Sequence, residues 1–356
     1  MVRASAVNTE NRSKKKRVLY FDILNIAACF SVLMLHFNGL AHAYSPTFAW
    51  YQAFSAECIF YWAVPIFFML SGATLMHYRE RYDTKTFLKK RFIRTVIPFI
   101  VWSVGILIWK IATGQIDPPM GPRTVINLIL NTQIIDIYWF FIPLFSIYLS
   151  IPILSLLADG KHDDVLWYGV GIVFITNSLL PCLLSLIGIQ WNTSLSLPVF
   201  SSYLIFPILG YLLSKTDFSK RQRVIIYLLG IFGLVLRYLG TILLSNAQGS
   251  LNELFWGYTN FPSVMLAVAI FVLAKNINWE KMISTSRRID LVSKVASCSF
   301  GIYLIHMVLF YYMLEITGLD GGRLLWRTVC PVIAYLICFG IIAVLKKIPG
   351  LSKLVP

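Results

Sequence analysis

Ten separate runs of apolar residues, each close to the roughly 20 residues that cross a hydrocarbon core, constrain this chain more than any other feature. They fall at about 18 to 39, 51 to 76, 95 to 113, 137 to 158, 165 to 187, 198 to 214, 224 to 245, 259 to 275, 297 to 317 and 326 to 345, the sixth and eighth being short. Backbone groups in lipid must find their partners within the segment, so each run predicts a helix. The expected fold class is therefore all-α, a polytopic membrane helix bundle of about ten transmembrane helices. With 58% hydrophobic and 13% charged residues, a soluble domain of ordinary composition is excluded. Trp50, Tyr51, Trp109, Trp139 and Tyr258 lie near run ends, where their rings suit the headgroup level.

The net charge of +15 does not point to nucleic acid, because its cations are confined to a few short loops. If the N-terminus is inside, 26 of the 31 Lys and Arg fall on the cytoplasmic side, leaving Lys110, Arg123, Arg237, Arg323 and Arg327 elsewhere. That asymmetry predicts both ends in the cytoplasm, since one span more or fewer in the middle would destroy it. The expected organisation is a basic tail over 1–17, a transmembrane domain over 18–346 and a cytoplasmic tail over 347–356, with membrane lipid as the surrounding partner. Residues 115–136, interrupted by Pro118, Pro119 and Pro122, predict an outer loop with a short interfacial helix. The start of the chain imitates a signal peptide, with RSKKKR, an apolar run and Ala41-His42-Ala43. Cleavage is not expected, because the run is too long for such a leader and carries Asp22, Asn25 and His36. The six cysteines sit in or beside apolar runs without any CxxC or Cys/His cluster, so they read as buried thiols, and no metal is expected.

An ionisable group within a span costs a few kcal/mol or more, which makes each one a functional candidate. His36 leads. It stands eleven residues after Asn25, about three helical turns or roughly 16 Å along one face; snorkelling at the outer helix end is the alternative reading. Glu57 lies at a similar depth on the next, antiparallel span, where it could orient the imidazole or instead be a protonated helix-to-helix contact. Arg237, in the outer half of its span, could hold an anionic acceptor or snorkel outward, and Trp139 is placed with it on the acceptor side. His306, near mid-membrane, and Tyr303, one turn before it, read as catalytic or structural. Lys89, Lys90, Arg91 and Arg94 cluster in a loop just before a span, which fits an orientation signal or a phosphate-rich cytosolic ligand.

Six segments carry a resemblance: YFDILNIAACFSVLMLHFN (20–38), WAVPIFFMLSG (62–72), FLKKRFIRTVIPFIVWS (87–103), YWFFIPLFSIYLSIPIL (138–154), FPILGYLL (206–213) and SFGIYLIHMVLF (299–310). In this order on a ten-helix frame they resemble the acyltransferase 3 family of membrane acyltransferases, in the flavour that O-acetylates bacterial surface or lipid-linked polysaccharides. The resemblance implies acetyl-CoA as a cytoplasmic co-substrate, no permanently bound cofactor, a glycan hydroxyl outside as acceptor, a bacterial plasma membrane location and an essential His36. It also places the family's basic RRxxR-type motif on Lys90, Arg91 and Arg94. Many members carry Arg eleven residues before the histidine, whereas this chain has Asn25, so that charge must come from elsewhere or be dispensable. A transporter or flippase for a lipid-linked sugar is the competing expectation, and an O-succinyltransferase keeps the enzyme but changes the acyl group.

Overall fold

Prolines and glycines decide where these apolar runs stop being simple helices. In a computed structural model describing residues 18–118, 121–200 and 202–356, every regular element among the described residues is helical. The basic tail at 1–17 and Pro119 lie outside the described residues. In chain order the helices are α1 (Leu19–Phe37), α2 (Phe48–Phe60), α3 (Ala63–Leu75), α4 (Thr84–Arg91), α5 (Ile97–Ala112), α6 (Pro122–Leu130), α7 (Phe141–Leu154) and α8 (Asp163–Val173). There follow α9 (Leu180–Leu186), α10 (Ile205–Lys215), α11 (Lys220–Gln248), α12 (Phe261–Asn276), α13 (Trp279–Met282), α14 (Ser286–Thr317), α15 (Leu324–Thr328) and α16 (Cys330–Leu345).

Seven helical stretches among the described residues are long and apolar enough to cross a membrane, and Ser202–Lys215, Phe261–Asn276 and Cys330–Leu345 form shorter apolar helices. These ten stretches coincide with the ten runs. The tenth proves as short as the sixth and eighth, because the chain breaks at Val329 before Pro331, whose missing N–H belongs in a first helical turn. Two long stretches are joined by π-helical turns, Phe92–Val96 and Phe174–Leu179, each ending two residues before a proline, Pro98 and Pro181. A proline ring clashes with the carbonyl four residues earlier, and widening the turn relieves that clash. The loop over 115–136 contains α6 as a nine-residue helix with no fully buried residue.

Packing follows lipid rules. Along α11 the buried stripe is small and polar (Gly230, Gly233, Arg237, Thr241, Ser245), while Leu228, Phe232, Leu239 and Leu243 face outward. Apolar outward faces lose nothing in lipid, so the inner stripe is chosen for close approach and hydrogen bonding. α3 and α10 approach backbone to backbone. A Cβ at Gly72 would lie 1.8 Å from the Pro207 carbonyl oxygen, and one at Gly210 would lie 1.9 Å from that of Met69. α1 and α14 run parallel: Asn25 Nδ2 donates to the Ala296 carbonyl (3.0 Å), Cys29 Sγ to that of Ser299 (3.5 Å), and His36 meets His306. The sequence offset stays at 270 or 271 residues across all three contacts. All six cysteines are buried and free. The last residues pack back onto the bundle, with Trp102 Nε1 donating to the Leu354 carbonyl at 3.0 Å and Val355 buried.

Candidate active site

The stripe that places Asn25 and His36 on one face of α1 turns that face toward α14. His36 Nδ1 and His306 Nε2 lie 2.7 Å apart, the ring planes within 6° and the centroids 4.9 Å apart. Such a separation with so short a contact describes two rings meeting edge to edge in one plane, the geometry of a directed hydrogen bond. His306 is fully buried and its Nδ1 faces the Tyr303 carbonyl at 2.7 Å and that of Ile302 at 3.3 Å. The turn holding these groups is fixed from a neighbouring segment: Tyr138 donates to the Leu304 carbonyl at 2.9 Å, and the Tyr303 hydroxyl donates to the Ile137 carbonyl. His36 is half-buried at the end of its helix, and its Nε2 has no hydrogen bond among the described residues.

Glu57 does not join this pair, contrary to the expectation that it would orient the imidazole. Its Oε1 lies 3.8 Å from Arg237 Nη2, with both side chains fully buried. Depth along two antiparallel helices was the only basis for pairing Glu57 with His36, and depth does not fix rotation; α2 turns Glu57 toward α11. Arg237 likewise does not snorkel. Its Nη1 donates to the Trp256 carbonyl at 2.9 Å and to Ser263 Oγ at 3.0 Å, and its guanidinium lies 3.3 Å from the centre of the Tyr61 ring. Tyr61 stacks on Tyr258 at 4.0 Å, and Tyr258 on Trp139 at 5.6 Å, so Trp139 and Arg237 end one aromatic column. Glu57→Gln leaves a buried guanidinium without its countercharge, which costs about 3–5 kcal/mol. The expected result is a clear drop in thermal midpoint of purified protein, largely restored by adding Arg237→Met. Wild-type stability in the single variant would show that the pair carries no weight.

The basic loop is divided by the fold. Lys90 Nζ sits 3.8 Å from the centre of the Tyr82 ring, and Arg94 is exposed. Arg91 alone of the four turns inward, its guanidinium 5.6 Å from the Tyr148 ring and its Nε buried without a hydrogen-bond partner among the described residues. Arg91 lines a cavity of about 270 Å³ with Asp22, Asn25, Ser71 and Tyr148. A second cavity of about 310 Å³ shares Asn25, Phe67, Ser71 and Tyr148 with the first and continues past Val32, Val64 and Ser299 to Tyr303. The two adjoin along these shared residues, and together their linings lead from the basic loop to Tyr303, whose ring lies 5.7 Å from that of His306. Ser299 Oγ in the wall of this cleft is buried and has no hydrogen-bond partner among the described residues.

Sequence reasoning missed Arg327, fully buried, whose Nη1 donates to the Gly321 carbonyl at 2.6 Å and Nη2 to Gln52 Oε1 at 2.7 Å. Its carbonyl accepts from Asn38 Nδ2 at 3.0 Å, which ties the C-terminal end of α1 to the start of the last helices. The signal was available: Arg327 is one of the few cations outside the basic loops and tails.

Across residues 18–345 the chain matches the family model for an acyltransferase domain of the acyltransferase 3 type. The chain belongs to the acyltransferase 3 family. No similar curated protein and no similar solved structure was found. Membership of the acyltransferase 3 family, together with the apolar helices, makes this a multi-pass membrane acyltransferase. It also decides against the transporter reading, which rested only on scattered polar residues in many spans.

Proposed function

We propose that this acyltransferase moves an acetyl group from cytoplasmic acetyl-CoA to a hydroxyl of a cell-surface or lipid-linked glycan, with His36 at the reaction centre. The observation that carries the reading is the cleft running from Arg91 to Tyr303 beside the His36–His306 pair. A guanidinium at its mouth suits the phosphates of a nucleotide donor, and a narrow apolar bore with serine and asparagine hydroxyl and amide groups suits pantetheine. Arg91 and Asn25 line the same cavity, so the motif's guanidinium and the amide at the departing position face one space. No cationic side chain lines the cavity that reaches Tyr303, which favours a neutral acyl group over succinyl.

In the reaction, His36 takes the hydroxyl proton as the sugar oxygen bonds to the thioester carbon. The carbon–sulfur bond then breaks, and the proton returns to the CoA sulfur, giving the O-acetyl glycan and CoA. Prior transfer of the acetyl group to His36 as an acyl-imidazole uses the same atoms in two steps. The proposed membrane is the bacterial plasma membrane, crossed ten times with both ends inside.

The test uses oriented vesicles. Labelled acetyl-CoA supplied on the side of the basic loop is expected to label glycan on the other side, with succinyl-CoA a poor competitor. Single cysteines at the exposed Lys161 and Gln190 are expected to react from opposite sides. Transfer only when donor and glycan share a side, or labelling of both cysteines from outside, would sink the proposed route.

A further inference from the structure

We infer that His306 is a positioning residue that fixes the tautomer of His36 and leaves Nε2 of His36 as the proton acceptor for the transfer proposed above. This inference rests on that reading for its chemistry and on geometry alone for the tautomer. His306 Nδ1 faces two carbonyl oxygens, of Tyr303 at 2.7 Å and Ile302 at 3.3 Å. A carbonyl oxygen only accepts, so Nδ1 of His306 carries the hydrogen and donates it to the Tyr303 carbonyl. A neutral imidazole with hydrogen on one nitrogen has a lone pair on the other, so Nε2 of His306 is an acceptor.

With His306 neutral, the 2.7 Å contact with His36 then admits one arrangement: Nδ1–H of His36 donates to Nε2 of His306. The lone pair of His36 is thereby held on Nε2, which hydrogen-bonds to no group among the described residues. His306 plays the part that an orienting carboxylate takes in other base dyads, but it remains neutral. When Nε2 of His36 accepts the hydroxyl proton, the resulting imidazolium still donates from Nδ1 to His306, and that bond becomes charge-assisted and stronger. The anchor is a backbone carbonyl within a turn held by Tyr138 and Tyr303, so rotation of the His306 ring would break bonds on both of its edges.

The experiment combines kinetics with a spectroscopic reading on full-length protein in bilayers. His306→Gln keeps a carbonyl oxygen able to accept from His36 Nδ1, whereas His306→Leu fills the space without an acceptor. His306→Leu is expected to lower kcat about 10²-fold, within the range general base catalysis spans, with KM for acetyl-CoA unchanged. His306→Gln is expected to keep kcat within about 10-fold of wild type. A packing role predicts the opposite order, because leucine suits an apolar interior better than an amide; equal loss in both variants, or loss tracking thermal stability, overturns the inference. Nitrogen-15 solid-state spectra of histidine-labelled protein read the tautomer without any donor or acceptor present. His36 is expected as the Nδ1–H form in wild type and in His306→Gln, and in His306→Leu if that variant folds the signal shifts toward Nε2–H. An Nε2–H signal for His36 in the wild type overturns the inference outright. Failure of wild-type protein to use acetyl-CoA overturns the functional reading instead and leaves the spectrum to decide the tautomer.

Discussion

His36→Ala is expected to lower kcat by roughly 10² to 10⁴ while acetyl-CoA binding stays near wild type, because the lost group acts only as the hydroxyl gives up its proton. The proposed donor cleft supports this separation: its lining includes Asn25 and Val32 of α1 but not His36, which meets His306. Arg91→Ala should do the reverse. On the proposed function it removes a phosphate contact made equally in the ground and transition states, so KM for acetyl-CoA is expected to rise while turnover at saturating donor survives. Because Arg91 faces the cleft and Arg94 is exposed, the Arg94→Ala effect should be the smaller of the two. The measurements are donor binding by calorimetry on purified protein and transfer in vesicles with the donor on the loop side. If His36→Ala abolishes donor binding and Arg91→Ala leaves KM unaltered, the basic loop returns to being an orientation signal.

The second large effect concerns folding. Gly72→Ala places a methyl group 1.8 Å from the Pro207 carbonyl oxygen and Gly210→Ala places one 1.9 Å from that of Met69. Neither obstacle is a flexible side chain that can turn away, so α3 and α10 must part along their whole contact. The cost is expected to exceed about 4 kcal/mol, a loss reserved for a few named mechanisms, and to appear as little or no monodisperse protein after extraction. Gly105→Ala and Gly340→Ala serve as controls, since nothing lies within 4 Å of either added methyl group. Within a helix that change otherwise stabilises by about 0.5–1 kcal/mol, so the sign itself is diagnostic. Normal yield and stability for Gly72→Ala would mean that the close approach is not required.

Spans and chemistry classes were legible in the residues because both depend on local properties. Ten apolar runs match ten helical stretches, since length and hydropathy suffice to define a segment that must bond internally in lipid. The Asn25–His36 stripe was legible for the same reason, helical periodicity being local, and the six family strings pointed to the acyltransferase 3 type that the match over residues 18–345 shows. Partnerships were not legible. Glu57 and His36 share a depth, yet the rotation of α2 gives Glu57 to Arg237 and the parallel register of α1 with α14 gives His36 to His306. Among four neighbouring cations only Arg91 lines the cleft, because each residue of a helix is turned about 100° from the last and the packing of α4 decides which one faces inward. The strings ending at Gly72 and containing Gly210 carry no sign that they touch each other. Hydropathy fixes where a helix lies along the membrane normal, but rotation and neighbour are set by which backbones can approach and which buried polar groups find partners, and those depend on residues far apart in the chain.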